Sequence, residues 1–347
     1  MCDTACKRKA YLERSYNMKI DFVITWVDGS DPAWRKEKYK YMGIDEPDAE
    51  RYRDMGILKY WFRAVEAYAP WVNMIHFVTW GHLPDWLNTD HPKLHIVNHK
   101  DYIPAEYLPT FSSHPIELNL HRIPGLSEHF VYFNDDMLLN APVNPAFFFH
   151  KGLPCDFVNI DNIYSERPDD TYSHILFNES HLISRHYSYI QSFCKHPFKY
   201  LNIAYTWKAN LKNLLKLENQ GYFPGFVDHH LASSFLKQSF VDFWEKDFEI
   251  LDRVSKEKFR TPFDVSQRVF RYAQLASGQF HPVSPASRGK YMNITNQIDH
   301  VEETLNNPKI KMVCINDIPS DVDFEHTMAR IVAVYEKKLP QKSSFEK

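Results

Sequence analysis

From Ile20 to Val27 the chain reads IDFVITWV, an apolar run interrupted by Asp21 and closed by Asp28-Gly29-Ser30-Asp31-Pro32. β-Branched and aromatic residues ending in such a cluster predict a buried strand followed by a turn. The charged stretch 33–53 predicts helix plus loop. The period then changes: Ile57, Leu58, Trp61, Phe62 and Val65 share one stripe at helical spacing. This predicts a helix over 55–68, capped by Asp54 and stopped at Ala69-Pro70. Met74 to Thr79, Leu94 to Asn98 and Phe130 to Phe133 predict three further strands, with Pro84 to Leu87 as a short turn or helix. Ser112-Ser113 ahead of His114-Pro115 predicts a helix start, since proline is tolerated in the first turn. That helix carries Glu117, His121 and Arg122.

Strand, helix, strand, strand, helix, strand over about 120 residues predicts an α/β region with a mostly parallel central sheet. In such sheets ligands sit beyond the carboxyl ends of the strands. Asp135 and Asp136, directly after the strand in FVYFNDDMLL, belong on that rim, and Asp28 falls on the same rim. The second half changes character: 171–216 and 228–280 are rich in Leu, Phe, Tyr, Lys and Gln at helix-like spacing. Met312 to Ile315 predicts a late strand, and 321–347 a helix with a frayed end. The expected organisation is a basic arm over 1–17, an α/β region over 18–165, a helical region over 166–300 and a C-terminal strand and helix over 301–347. No linker is evident, so the halves are expected to share a core.

Composition narrows the function classes. The 41 basic and 44 acidic residues nearly cancel, leaving no bulk field for nucleic acid. With 10 glycines in 347 residues the chain has neither GxGxxG nor GxxxxGK[ST], which argues against a glycine-rich phosphate loop. HExxH and GxSxG are also absent. Aromatics at 15% suit sugar faces and nucleobases as well as cores. The cysteines, Cys2, Cys6, Cys155, Cys194 and Cys314, are odd in number and scattered, which predicts free thiols in a reducing compartment. No apolar run approaches the roughly 18 residues of a membrane span, and the N-terminus is too polar for a signal peptide. A cytoplasmic protein is expected, at most in peripheral contact with the inner face of the membrane. The tail lysines Lys337, Lys338 and Lys342 hint at such contact, though a charged tail also fits plain solvation.

Three constellations could carry chemistry. Adjacent carboxylates such as Asp135 and Asp136 repel and call for a cation, a proton or donors nearby, although a polar turn would also place them there. In one continuous helix Glu117 and His121 share a face, an arrangement that would orient a general base, and Arg122 would suit a phosphate. A surface ion pair on an ordinary helix fits the same residues. Asp21 and Trp26 suit either a ribose and base or an edge and a core. His229-His230 and Arg260 are the polar points of the helical half and fit surface positions equally well.

Four blocks taken together resemble the Stealth proteins, sugar-1-phosphate transferases of bacterial capsule synthesis related to the eukaryotic N-acetylglucosamine-1-phosphotransferase. The blocks are IDFVITWVDGSDP at 20–32, the long stretch from RDMGILKYWF to FVYFNDDMLL at 53–139, DHHLASSF through FRTPFDVSQRVFRYAQLASG at 228–278, and KMVCINDI at 311–318. Two departures, DMGILKY for the usual DNGELKY and VTWGH for VTDGQ, bear on the donor sugar more than on the reaction. The resemblance implies a nucleotide-sugar-transferase type of sheet and a UDP-sugar donor, with N-acetylhexosamine first among the sugars. It implies transfer of sugar-1-phosphate to an oligosaccharide or lipid-linked glycan acceptor, release of UMP, and a divalent cofactor, Mg2+ or Mn2+. Its implied catalytic residues are Glu117, His121, Arg122, Asp136, His229 or His230, and Arg260. Asp21, Trp26, Asp28, Arg53 and Arg63 would bind donor, and Asp135, Asp136 and Asp317 would hold metal. Two other readings of the same residues are a metal-dependent glycosyltransferase releasing UDP and a non-catalytic carbohydrate-binding scaffold.

Overall fold

The structure, a computed structural model, describes residues 18–44, 55–165, 170–219, 221–294, 298–316 and 323–347. The arm 1–17, the capping Asp54, the donor candidate Arg53 and the metal candidate Asp317 lie outside the described residues.

Among the described residues eleven strands follow in chain order: β1 (Ile20–Thr25), β2 (Ile75–Thr79), β3 (Leu94–Asn98), β4 (His129–Phe133), β5 (Met137–Leu139), β6 (Phe149–His150), β7 (Leu153–Asp156), β8 (Ser233–Leu236), β9 (His281–Pro282), β10 (Lys290–Asn293) and β11 (Met312–Asn316). The principal helices are α1 (Pro32–Met42), α2 (Leu58–Tyr68), α3 (Ser113–Leu118), α4 (Thr171–His186), α5 (Trp207–Leu215), α6 (Lys237–Lys246), α7 (Phe248–Ser255), α8 (Arg268–Ser277), α9 (Ile298–Asn306) and α10 (Phe324–Lys338).

The central sheet has the order β3-β2-β1-β4-β8. β1 runs parallel to β2 and β4, and β2 parallel to β3; β8 adds an antiparallel edge, with Phe130 opposite Phe235. The mostly parallel sheet is the predicted one. Side-chain alternation explains how it is covered on both faces. Phe22, Ile24, Phe77 and Phe133 enter a core with α2, β5, β11 and α10, whereas Val23, Val78, Phe130 and Tyr132 enter a core with α4, α6 and α8. The helical half therefore packs directly on one face of the sheet and shares its core.

A small second sheet, β10-β11-β5, lies at the carboxyl end of β4. β11 pairs antiparallel with β5, placing Cys314 opposite Met137, and the Ile315 amide donates to the carbonyl of Asp136 at 2.9 Å. The short strands β5, β8 and β10 were not expected from the apolar pattern.

The tail corrects the expected frayed end. After α10 the chain returns to the first region: Leu87 bridges to Glu346, the Asn88 amide donates to Phe345, and Phe345 is buried. Lys338 is also committed, donating to Asn140 and to the Leu305 carbonyl, so it is not a free surface charge.

Candidate active site

β4 delivers Asn134-Asp135-Asp136 beyond its carboxyl end, and a tight turn closed by Met137 N to Asn134 O at 3.1 Å leads into β5. Asp135 is exposed. Asp136 turns inward. Its Oδ2 accepts from the Cys314 thiol at 3.2 Å and lies 3.7 Å from His230 Nε2, an ion-pair distance rather than a hydrogen bond. Its Oδ1 is buried with no hydrogen-bond partner among the described residues. Burial followed by the Asp136 charge pushes the Cys314 thiol far up, so it stays protonated and donates.

His230 is held by an unusual backbone. Its φ of 43° is left-handed, an uncommon conformation for a residue with a side chain. The His230 amide donates to Asp228 Oδ1 at 3.2 Å, and its ring meets Tyr291 edge-on at 5.7 Å. Burial alone would lower the His230 pKa, but Asp136 and then Asp228 outweigh it and raise the value.

Behind His230 two buried arginines from α8 clamp Asp228, Arg268 at 3.5 Å and Arg271 at 3.4 Å. Each has a closer partner of its own: Arg268 Nε donates to Glu179 at 2.9 Å, and Arg271 grips Asp156 through two bonds of 2.7 and 2.8 Å. Arg268 and Arg271, one turn apart, stand on one face of α8 and order the loop carrying His230. Burial raises the Asp228 pKa, yet the two guanidinium groups hold it below its usual value.

The two histidines face different surroundings. His229 turns away from Asp136, its ring edge-on to Phe157 at 4.5 Å. It lines a cavity of about 20 Å³ with Asp156, Ser234, Arg271 and Arg288, room for one water, and its Nε2 is buried without a hydrogen-bond partner among the described residues. Burial, then Arg271, lowers its pKa.

Other expected residues do not converge. α3 ends at Leu118, where Asn119 donates its side-chain amide to Pro115 O at 2.8 Å and to Ser255 at 3.2 Å. An amide that bonds the backbone locally competes with helix continuation. Glu117 and His121 therefore share no helical face. Glu117 is buried under Tyr132, whose hydroxyl donates to it at 3.3 Å. His121 packs between Phe240 and Trp244, and burial pushes its pKa down to about 3. It neighbours Lys237, just past Leu236, which pairs with His129 at the start of β4. His121 thus sits toward the amino end of the strand, away from Asp136. Arg122 is exposed, bonded to Asn119 and laid on the Trp244 ring at 4.8 Å.

Asp21 is also at the amino end, paired with Phe130 and fully buried. It accepts from Asn73 at 2.7 Å and the Ser127 amide at 2.8 Å, with His76 Nε2 at 3.1 Å. Five strand residues at about 3.3 Å each separate that end from the rim, roughly 15 Å. This carboxylate ties three segments together and does not face the site. Arg63 is not free for a phosphate: Nε and Nη2 each donate to Glu346 at 2.8 Å, and Nη1 to Leu339 O at 2.9 Å.

Trp26 and Asp28 do lie on the rim. Trp26 is half-buried, stacked on Phe77 and edge-on to His82, whose Nε2 accepts the Asp28 amide at 2.7 Å. Asp28 Oδ1 caps the turn by accepting from Ser30. Arg260 is exposed and donates to Ser113 at the start of α3. The residues the sequence did not point to are Cys314, Asp228, Arg268 and Arg271; the R-x-x-R spacing on α8 and the aspartate before the histidines were the available signals.

One oxygen, nitrogen or sulfur from each of Asp136, His230 and Cys314 lies within 4.8 Å of the others. The orphaned, buried Asp136 Oδ1 fits a cation. A carboxylate suits a hard divalent ion, whereas a protonated thiol and an imidazole suit it less well, so Asp136 is the residue of the three that would hold magnesium.

Conserved region 1 of the Stealth proteins matches residues 18–46 and conserved region 2 matches residues 51–155. A capsular polysaccharide phosphotransferase of Streptococcus pneumoniae, WcwK, is 42% identical over 94% of this chain and 99% of its own length. A receptor polysaccharide phosphotransferase of Streptococcus gordonii, WefC, is 40% identical over 94% of this chain and 99% of its own. A solved galactosyltransferase, LgtC with donor and acceptor sugar analogues, covers 93% of this chain and 98% of that one at 12% identity and a TM-score of 0.39, too distant to add to the fold described above. On the near-full-length relatives and the two conserved regions in order, the chain belongs to the Stealth family of phosphotransferases.

Proposed function

We propose that the chain transfers sugar-1-phosphate from a UDP-sugar to a hydroxyl of an acceptor glycan in capsular or cell-surface polysaccharide synthesis. N-acetylhexosamine-1-phosphate is the first candidate for the transferred group. The acceptor oxygen attacks the phosphorus bonded to the donor sugar, the bond to UMP breaks, and UMP leaves with the electron pair. The product is a phosphodiester between sugars. The observation that carries this reading is the pairing of Asp136 with His230 beyond the carboxyl end of β4, with one Asp136 oxygen unpartnered.

Asp136 takes the acceptor proton, and His230 beside it, its pKa raised by Asp136 and Asp228, would offset charge on the phosphoryl oxygens when protonated. Cys314 and the Ile315 amide hold Asp136 in place. Trp26 and Asp28, on the rim, would meet the donor, and Arg260, exposed beside Ser113, would meet the phosphates. A divalent ion, Mg2+ or Mn2+, held by Asp136 with Asp135 adjacent, would neutralise the donor phosphates. Positioning and electrostatics dominate such a transfer. Among the described residues no helix is long and apolar enough to cross a membrane.

Phosphorus NMR with UDP-N-acetylglucosamine, magnesium and short capsule oligosaccharides tests the reading. A phosphodiester resonance appearing together with UMP supports it, and Asp136→Asn should slow turnover by about 10²–10³-fold, by analogy with loss of one oxyanion contact. UDP appearing with a glycoside would replace it with glycosyl transfer.

A further inference from the structure

The helix α5 is built inside out. Its inward position Asn213 is fully buried: the Ile160 amide donates to Asn213 Oδ1 at 2.9 Å, and Nδ2 donates to Val158 O at 3.0 Å and Tyr200 O at 2.8 Å. Its outward face is apolar. Trp207 is 70% exposed and Leu215 57%, with Leu211 and Leu214 also exposed. At about 100° per residue these four fall within an arc of roughly 100°, and Lys208 and Lys212 follow at its edge. Helices of globular proteins turn such an arc to the core.

The patch extends onto the preceding turns, where Phe198 and Ile203 project almost fully into solvent. The charge pattern matches it. Residues 195–216 hold five lysines and no aspartate or glutamate. Lys199 turns inward to the carbonyls of Gly278 and Phe280 and Lys212 pairs with Asp161, while Lys195 and Lys208 stay on the surface. An exposed apolar arc with a tryptophan, on a helix that itself carries lysines and no acidic residue, has the composition of a helix that lies in a membrane interface.

We propose that α5 with the turns before it docks the protein peripherally on an anionic lipid surface. The apolar arc enters the headgroup boundary and the lysines meet lipid phosphates. The docked helix is fastened to the site: Asn213 holds Val158 and Ile160, the Val227 amide donates to Asn159 O at 2.9 Å, and Asp228 to His230 follow directly. Docking would hold the site near a lipid-linked acceptor. That consequence rests on the phosphotransfer reading, but the docking itself is measured without turnover.

The test is flotation of the full chain with vesicles of phosphatidylcholine alone and of phosphatidylcholine mixed with phosphatidylglycerol. The expected result is flotation with the anionic vesicles, with at least about a tenfold weaker partition for Leu211→Gln/Leu215→Gln. Each of Lys195→Gln and Lys208→Gln should weaken it by about fivefold, the equivalent of about 1 kcal/mol per basic residue at an anionic surface. Tryptophan emission should shift to the blue on binding, and less so in Trp207→Phe. All these residues are exposed, so unchanged circular dichroism and unfolding midpoints should accompany the losses, and turnover on a water-soluble acceptor should be unaffected. A failure of the phosphotransfer reading would appear as missing phosphodiester with flotation intact. Wild-type protein that stays unbound, or variants that float like wild type, would overturn the proposal. So would self-association in solution that the same variants abolish while vesicles are ignored.

Discussion

Replacing Arg63 with methionine separates two readings of that residue. As a donor-phosphate ligand it would leave the fold intact and weaken donor binding. The structure instead seals its guanidinium against Glu346, with side chains 8% and 4% exposed and two bonds of 2.8 Å, plus a third bond to Leu339 O. Arg63→Met leaves the Glu346 carboxylate buried without its cation, although Ser343 still donates to it. Removing one partner of such a pair costs about 3–5 kcal/mol, and the remaining Ser343 bonds place this case near about 3 kcal/mol. Urea unfolding should show that loss, with turnover per folded molecule and the donor KM unchanged. Arg63→Met/Glu346→Met should recover most of it, because an apolar pair of similar volume replaces a buried ion pair at little cost. Wild-type stability in Arg63→Met together with a raised donor KM would refute the structural assignment and return Arg63 to the donor site.

The two neighbouring histidines should separate cleanly. His230→Gln should lower turnover by about 10²–10³-fold, the range for losing one charge-stabilising contact, whereas His229→Gln should change mainly the unfolding midpoint; equal turnover losses would contradict the geometry. Asp21→Asn should cost about 2 kcal/mol at neutral pH through weakened charged hydrogen bonds. Since hydrogen bonds from His76, Asn73 and Ser127 outweigh burial and hold the Asp21 pKa below its usual value, its contribution is present above about pH 4 and fades as pH falls through the folded value. Wild type and Asp21→Asn should accordingly converge in acid, and a constant gap in pH-dependent unfolding would count against this. Chelation should abolish turnover and added Mg2+ should restore it; full activity after exhaustive chelation would remove the divalent ion from the mechanism.

The strands of the central sheet were legible because their apolar runs are buried on both faces, and the rim position of Asp135 and Asp136 followed from strand direction alone. What the sequence concealed depended on partners distant along it. Arg63 looked available because Glu346 lies 283 residues away. Cys314 gained a role through the register of β11 against β5, which short apolar strings do not specify. Glu117 and His121 matched a helical spacing, but Asn119 stopped the helix between them. His229 and His230 are indistinguishable in a string. A left-handed residue and an aspartate held by two arginines send their side chains in different directions.

The second sheet has a consequence for synthesis. Asp136 meets Cys314 only after another 178 residues have been made, and His230 comes from a third stretch between them. A growing chain on the ribosome can complete much of the parallel sheet while its chemistry is still scattered. On the proposed phosphotransfer reading, a chain that stops short of β11 lacks the Cys314 and Ile315 contacts that hold Asp136, and so would not spend donor before synthesis is nearly complete.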